Sequence, residues 1–443
     1  MTRKLITGNA AAAWGARLAG AQYIPAFPIT PQTEIIETLS RWIDSGDMDA
    51  RMVTMDSEHS MVTAAGAAAV TGVRTFTATS SQGLLYAMEM LYNTAGWRAP
   101  YVLVNVSRAL AAPVTLEPDH NDVLAARDSG FLQIHCATCQ EVLDDTILAF
   151  ALAEDERVRL PVLVNLDGFY LSFTREPVEF PDADTVARFL PPFDPESIRF
   201  RASAPLSLAV AVLGGSPYSY FRYELHKANL NGVAVYEELS RRFAEVFGRQ
   251  PKVLDTYAAE DAEFVFVMMG SFATKCRQAV EQLREAGWPV GLVRLRLLRP
   301  LPVEHVRRAL AGKRGVAVVD QNLSPGMGGV LHSELAHVLY GAPGAPPILA
   351  GFIGGLGGRD ITPEEFYEMA AITRRAAETG ITPPPRLLYT QRELDEVRRL
   401  QAIAHVEREK LTHAAGTGTA AGTADATRSE AETAPMPEGG IRS

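Results

Sequence analysis

Cysteine is scarce in this 443-residue chain, where Cys136, Cys139 and Cys276 are the only thiols. Three cysteines cannot build a disulfide framework, so a reducing, cytoplasmic compartment is expected. They also fall short of the four thiolates that a [4Fe–4S] cluster normally takes, so this chain alone is not expected to hold one. Positive charge is short too: 42 Lys and Arg stand against 52 Asp and Glu, a formal charge of −10. That lacks the basic footprint of a nucleic-acid binder. Long apolar runs are missing as well. The charge-free stretches Ala202–Phe221 and Leu339–Gly358 are broken by Pro or Gly, so no membrane span is expected. Met1-Thr2-Arg3-Lys4 has the charge of a signal n-region, but Asn9 and Arg17 interrupt the apolar stretch that would have to follow.

What is present is ordinary for a folded chain with sizeable cores: 47% hydrophobic and 21% charged residues. At about 150 residues per domain the length suggests about three domains. Residues 1–190 alternate between strand and helix signals. Strands are expected at Gln22–Phe27, Arg51–Met55, Arg74–Thr79, Tyr101–Val106, Phe131–His135 and Pro161–Asn165. Helices are expected at Thr33–Trp42, Glu58–Val70, Leu84–Ala95 and Gln140–Ala153. The near-continuous apolar run YVLVNV is the kind buried on both faces of a parallel sheet. The fold class is therefore α/β, with a mostly parallel sheet and helices on both faces. Residues 191–258, rich in proline at first, read as a connection carrying one helix, about Val235–Phe247. Residues 259–385 repeat the alternation as a smaller α/β domain, with Pro363–Thr379 helical. Residues 386–411 read as a C-terminal helix, charged over Gln391–Lys410. Residues 412–443, nearly all Ala, Thr, Gly, Glu and Ser, read as a disordered tail.

Ligands of open parallel sheets bind beyond the carboxyl ends of the strands. The residues that follow the first four strands are Pro28-Ile29-Thr30-Pro31, Asp56-Ser57-Glu58-His59-Ser60, Ser80-Ser81-Gln82-Gly83 and Ser107-Arg108. One carboxylate, one cation and several hydroxyls would meet on one rim. Ser57 or Asp56 can cap the next helix and place Glu58 in its first turn, where the dipole favours a carboxylate. Taken alone, Glu58 reads equally as a surface residue that complements the dipole. The following run MVTAAGAAAVTG is so rich in small residues that the helix must pack closely, which argues for a buried start. Ser80–Gly83 reads as a polar cradle or as a plain helix cap. Arg108 reads as a clamp for a substrate carboxylate or as half of an ion pair with Glu117 or Asp119.

Gly8-Asn9-Ala10-Ala11-Ala12, Pro28-Ile29-Thr30-Pro31, Asp56–Ser60, Thr79–Gly83 and Asp119-His120-Asn121-Asp122-Val123 occur in that order. Together with Arg299-Pro300-Leu301-Pro302 and Gly355-Leu356-Gly357-Gly358-Arg359-Asp360, they resemble the α subunit of 2-oxoacid:ferredoxin oxidoreductases, most closely the pyruvate type. The resemblance spans residues ~5–385. It implies a thiamine-diphosphate pyrimidine-binding domain followed by a transketolase C-terminal-like domain. It implies oxidative decarboxylation of a 2-oxoacid to acyl-coenzyme A and carbon dioxide, with electrons passed to ferredoxin or flavodoxin. By that likeness Glu58 hydrogen-bonds N1′ of the aminopyrimidine and is the catalytic residue, while Thr30 and Arg108 bind the substrate carboxylate. Pro28, Ile29, Ser80, Ser81 and Gln82 would line the cofactor with Glu58. Mg²⁺ and the [4Fe–4S] clusters are expected on partners: a β subunit that holds the diphosphate, and γ and δ subunits with ferredoxin-like clusters.

Ala10 departs from the glutamate frequent at its position in the family. Cys136-Ala-Thr-Cys139 has the spacing of a redox motif, yet reads as two packed thiols after a strand. Asp119–Asp122 could suggest a metal site, though carbonyl and ion-pair roles in a loop fit it as well; no metal ligand is assigned to this chain. Pro325–Gly329 fails as a dinucleotide loop because Leu331 stands at the third glycine position. Two further readings stay open. One keeps the chemistry but changes the substrate to a branched-chain or aryl 2-oxoacid, such as 2-oxoisovalerate or phenylglyoxylate. The other makes the chain a non-catalytic scaffold with a vestigial pyrimidine site.

Overall fold

The computed structural model describes residues 2–194, 200–207 and 214–417, the last seven by backbone alone. The chain divides into two units, one ending at Leu388 and one beginning at Tyr389. The first unit opens with β1 (Thr2–Thr7), α1 (Gly8–Leu18), β2 (Tyr23–Ala26), α2 (Thr33–Asp44), β3 (Arg51–Thr54), α3 (Glu58–Ala69) and β4 (Phe76–Thr79). Next come α4 (Ser81–Tyr86), α5 (Met88–Gly96), β5 (Val102–Ser107), α6 (Asn121–Ala125), β6 (Leu132–His135), α7 (Cys139–Glu154), β7 (Val162–Asp167), β8 (Arg175–Phe180) and α8 (Ala183–Phe189). A long helix, α9 (Ser216–Phe247), leads to β9 (Leu254–Tyr257), β10 (Phe264–Met268), α10 (Ala273–Glu285), β11 (Val290–Leu295) and β12 (Leu297–Arg299). The unit closes with α11 (Val303–Leu310), β13 (Gly315–Asp320), α12 (Val330–Leu339), β14 (Leu349–Ile353), α13 (Pro363–Thr379) and β15 (Arg386–Leu387).

Two sheets organise this unit. The first has the order β12-β6-β7-β5-β4, parallel except where β12 runs against β6. The parallel pair β2-β3 extends it through a bridge between Tyr23 and Thr75. The second has the order β15-β14-β13-β10-β11-β9, with only β9 antiparallel. Every residue of β5 and β7 is buried, which is why their sequences are apolar without alternation. The small-residue helix α3 packs as its composition demands: a Cβ on Gly66 would meet the Thr94 side chain at 2.4 Å. One apolar cluster runs through the first sheet and onto one face of the second, and another fills the second sheet's other face.

Buried polar bonds tie the halves together. Arg294 on β11 reaches Glu141 on α7 at 2.6 Å, and Arg296 reaches Asp145 at 2.7 Å. Asp167, at the end of β7, accepts from the Ser271 amide just before α10 at 2.8 Å.

Several elements depart from the sequence reading. The expected Leu84–Ala95 helix is broken at Ala87, where α4 gives way to α5. Helix α9 begins at Ser216, well before Val235, because its first turns present exposed Tyr218, Tyr220, Phe221 and Tyr223 and carry no core-facing stripe to read. The stretch read as a connection also contains β9. Arg386 and Leu387 form a strand, not the start of a helix. In the second unit α14 runs Gln391–Thr417, so Thr412–Thr417, read as tail, continues the helix through the helix-forming Ala414 and Ala415. The rest of the expected tail lies outside the described residues.

Candidate functional site

The four connections that leave β2, β3, β4 and β5 emerge at the same edge of neighbouring parallel strands. Pro28 and Thr30 are exposed there and Ile29 is half-buried. Asn9 fixes this loop by donating to the Pro31 carbonyl at 3.0 Å, and Gln32 donates to the Phe27 carbonyl at 2.8 Å.

After β3, Ser57 caps α3 through its side chain, which accepts from the Ser60 amide at 3.2 Å. Glu58 thus sits in the first turn, as its position after a capping serine implies, and it is only 5% exposed. Among the described residues its carboxylate has no hydrogen-bond partner. Its neighbour is Gly83: a Cβ there would lie 2.5 Å from Glu58 Oε1 and 2.6 Å from Thr79 Oγ1. The hydroxyls of Thr79 and Ser80 are both buried and, among the described residues, without a hydrogen-bond partner. Ser80 stands at the cap position of α4 but makes no side-chain cap bond, so its Oγ is not used to close the helix. A buried, unpaired hydroxyl costs about 1–3 kcal/mol. Glu58 and Thr79 both border Gly83 at the start of α4.

Ser81 and Gln82 have a different task. Ser81 holds a left-handed backbone, φ 51°, unusual for a residue with a side chain. Its amide donates to Asp122 Oδ2 at 3.0 Å, and its hydroxyl contacts the Ala109 carbonyl at 3.0 Å and Gln82 Oε1 at 2.7 Å. Gln82 Oε1 also accepts from Arg108 Nη2 at 2.6 Å.

Arg108 follows β5 and spans two of the loops. Its Nη1 donates to the Thr30 carbonyl at 2.7 Å, and its Nε is buried without a partner. Neither Glu117 nor Asp119 bonds to it among the described residues; both acceptors are neutral. Burial pulls the Arg108 pKa down and the charge of Asp122 opposes that.

Asp122 was not among the site residues that the sequence suggested. Its buried carboxylate accepts from the Ser81 amide, the Arg108 amide at 3.2 Å, Asn105 Nδ2 at 3.1 Å, Ser107 Oγ at 2.6 Å and its own neighbour's amide, Val123 N, at 2.7 Å. The only hint in the sequence was its place within Asp119–Asp122. Nothing in linear spacing shows that this segment folds back onto the loops after β4 and β5. His120 of the same segment pairs with Asp167 at 2.7 Å. Burial lowers the His120 pKa, but the carboxylates of Asp167, Asp122 and Asp119 together outweigh it and the net shift is upward.

The other motifs resolve into structural roles. Cys136 and Cys139 are buried and free; Cys136 Sγ contacts Asp145 at 3.4 Å and Cys139 Sγ the Thr174 carbonyl at 3.4 Å. Burial pushes both thiols up, Cys139 to about 12, the opposite of a reactive redox pair. The Gly354–Asp360 loop packs on the segment before Asp119, with the Gly358 amide donating to the Pro118 carbonyl at 2.7 Å. Among the described residues no three His, Cys, Asp or Glu side chains are grouped so as to hold a metal ion. No helix among them is long and apolar enough to cross a membrane.

Residues 14–240 match the family model described as pyruvate flavodoxin/ferredoxin oxidoreductase, thiamine diphosphate-binding. Residues 262–366 match the pyruvate:ferredoxin oxidoreductase core domain II. The chain is 40% identical over 373 residues to pyruvate synthase subunit PorA of Methanothermobacter thermautotrophicus, covering 84% of this chain and 96% of that one. It is 38% identical over 379 residues to ketoisovalerate oxidoreductase subunit VorA of Pyrococcus horikoshii, covering 85% and 95%. Among solved structures, 2-oxoglutarate:ferredoxin oxidoreductase from Magnetococcus marinus superposes with a TM-score of 0.63 at 20% identity, over 85% of this chain and 65% of that one. A split-gene transketolase gives 0.50 at 13% identity, over 83% and 98%, which concerns the fold alone.

Proposed function

Because the chain belongs to the pyruvate flavodoxin/ferredoxin oxidoreductase family, we propose that it is the α subunit of an enzyme that oxidatively decarboxylates pyruvate to acetyl-coenzyme A and carbon dioxide. The observation that carries this reading to the level of residues is the buried Glu58 carboxylate set against Gly83, with no hydrogen-bond partner among the described residues. An aminopyrimidine needs a carboxylate at one ring nitrogen, and the chemistry of Glu58 fits that need. When bound, thiamine diphosphate supplies the carbon nucleophile and the electron sink for cleaving the bond between the oxo carbon and the carboxylate.

In this reading Glu58 holds the proton it shares with N1′ of the aminopyrimidine. Its burial at the start of α3 fixes the carboxylate and keeps water from competing for that proton. Gly83 is small, which leaves room for the Glu58 carboxylate beside it. Pro28 and Ile29 would form the apolar lip beside it. Arg108 binds the substrate carboxylate through its guanidinium, and the Thr30 hydroxyl, on the exposed loop that Arg108 grips, adds a second donor. Gln82 Oε1 holds Arg108 and also accepts from the Ser81 hydroxyl.

The diphosphate, Mg²⁺ and the iron–sulfur clusters would belong to partner chains, a β subunit and cluster-bearing γ and δ subunits. The chain's three cysteines, all buried, support that division. Ferredoxin or flavodoxin would take the electrons, and the buried free thiols suit a reducing cytoplasm. A second reading, with 2-oxoisovalerate as substrate, is favoured by the ketoisovalerate relative, which at 38% identity stands close to the pyruvate relatives' 36–40%. The residues at hand would serve either substrate, since both present the same carboxylate to Arg108.

Anoxic purification of the tagged chain with its bound partners, followed by viologen reduction with a panel of 2-oxoacids, tests the proposal. Thiamine diphosphate, Mg²⁺ and coenzyme A would be supplied. Pyruvate is expected to give the highest kcat/KM. A preference for 2-oxoisovalerate would select the second reading, and an inert complex with every 2-oxoacid would overturn both.

A further inference from the structure

A buried carboxylate is costly unless its lone pairs are filled. Asp122 is such a group: no salt bridge reaches it among the described residues, and it is held by five donors instead. Two of those donors matter for the rim. The Ser81 amide belongs to the loop after β4 and the Arg108 amide to the loop after β5, and both end on the same oxygen, Oδ2. One atom therefore fixes the separation of the two loops whose side chains meet through Gln82 and Arg108. It also holds Ser81 in its left-handed conformation.

The segment that carries Asp122 is anchored from the other side. The His120 amide donates to the Gln321 carbonyl at 2.8 Å, and Asn121 Oδ1 accepts from the Leu323 amide at 3.1 Å. Asp167, bonded to His120, also takes the Ser271 amide and hydroxyl. Three consecutive residues thus face, in turn, the second sheet's loops and the rim.

We propose that Asp122 is a positioning residue, which sets the backbone at Ser81 and Arg108 and so aims the Arg108 guanidinium at the 2-oxoacid carboxylate. This rests on the reading of Arg108 as the carboxylate-binding group. Substitution by asparagine keeps the size but always turns an NH₂ toward a donor: the Ser81 and Arg108 amides on one side, or the Val123 amide on the other. The loops then separate while Glu58, which Asp122 does not touch, stays in place.

The test is steady-state viologen reduction by the assembled complex carrying Asp122→Asn, Arg108→Gln or both, with thiamine diphosphate affinity measured on each. Arg108→Gln is expected to raise KM for the 2-oxoacid more than tenfold, and Asp122→Asn by about tenfold, each with kcat within about threefold of the parent. Thiamine diphosphate affinity should not move. The double variant should be no worse in KM than Arg108→Gln alone, because one residue acts through the other. A raised KM in Arg108→Gln with an unchanged KM in Asp122→Asn, or multiplicative effects in the double variant, would overturn the role of Asp122. An unchanged KM in Arg108→Gln would overturn the reading of Arg108 itself, and this role with it. If Asp122→Asn does not assemble, the milder Ser107→Ala, which removes one donor to Asp122 Oδ1, should raise KM about threefold at constant kcat. No change in KM there would overturn the proposal.

Discussion

Glu58 and Gly83 are in van der Waals contact, and the space between them has no room for a methyl group, whose carbon would stand 2.5 Å from Glu58 Oε1. The pairing joins the first turn of α3 to the first turn of α4 and decides where the carboxylate can point. Gly83→Ala should push Glu58 off its position and lower kcat by about 100-fold, the scale on which small misplacements act. Circular dichroism should stay unchanged. Wild-type kinetics in this variant would show that the carboxylate's place does not matter.

Asp167 joins the two sheets through His120, Ser271 Oγ and the Ser271 amide. Asp167→Ala leaves a buried imidazole and the start of α10 unpartnered, a loss of about 3–5 kcal/mol. The melting temperature should fall by roughly 10 °C. A shift of a degree or less would mean that this interface is held by apolar packing alone.

Asp320 is 2% exposed and burial raises its pKa from 3.8 to about 7, with backbone amides of Leu331 and His332 opposing. A carboxyl raised on folding stabilises the fold below its unfolded pKa, and that contribution is lost as pH rises through the folded one. Stability relative to Asp320→Asn should therefore fall between about pH 4 and pH 7, by up to ~1.4 kcal/mol per pH unit. Melting curves of both proteins at pH 5 and pH 8 read this directly. A gap that is constant with pH, or that moves in favour of the parent at pH 8, would contradict it.

Cys136 and Cys139 should resist thiol reagents at pH 8 until the chain unfolds, since both are buried with raised pKa values. Cys139→Ser should leave 2-oxoacid oxidation within about twofold of the parent. Rapid labelling of the native protein would restore the redox reading of this pair.

Much of the rim was legible because its residues follow strands whose composition is unmistakable. Val102–Ser107 is buried throughout and reads as a strand from its apolar run, so Arg108 could be placed at a carboxyl end. Ser57 and Glu58 could be placed by capping chemistry alone. Other parts left no local signal. Strand β1, TRKLIT, is largely exposed and pairs with β8 more than 160 residues away, so neither its period nor its neighbours mark it. The lack of a hydrogen-bond partner for Thr79 and Ser80 among the described residues depends on what surrounds them in three dimensions, and a turn rich in hydroxyls looks the same when it is only a cap. Asp122 is the sharpest case: its five donors come from Ser81, Asn105, Ser107, Arg108 and Val123, which only folding gathers.

Under the proposed function the Glu58 carboxylate drives the chemistry of a 2-oxoacid oxidoreductase. Its most direct test is 2-oxoacid-dependent viologen reduction by the assembled complex carrying Glu58→Gln, with bound thiamine diphosphate quantified in the same sample. The variant should retain the cofactor yet lose turnover by about 1,000-fold or more, since glutamine cannot hold the shared proton as an acid does. A cofactor-loaded Glu58→Gln complex with near-normal turnover would contradict the account.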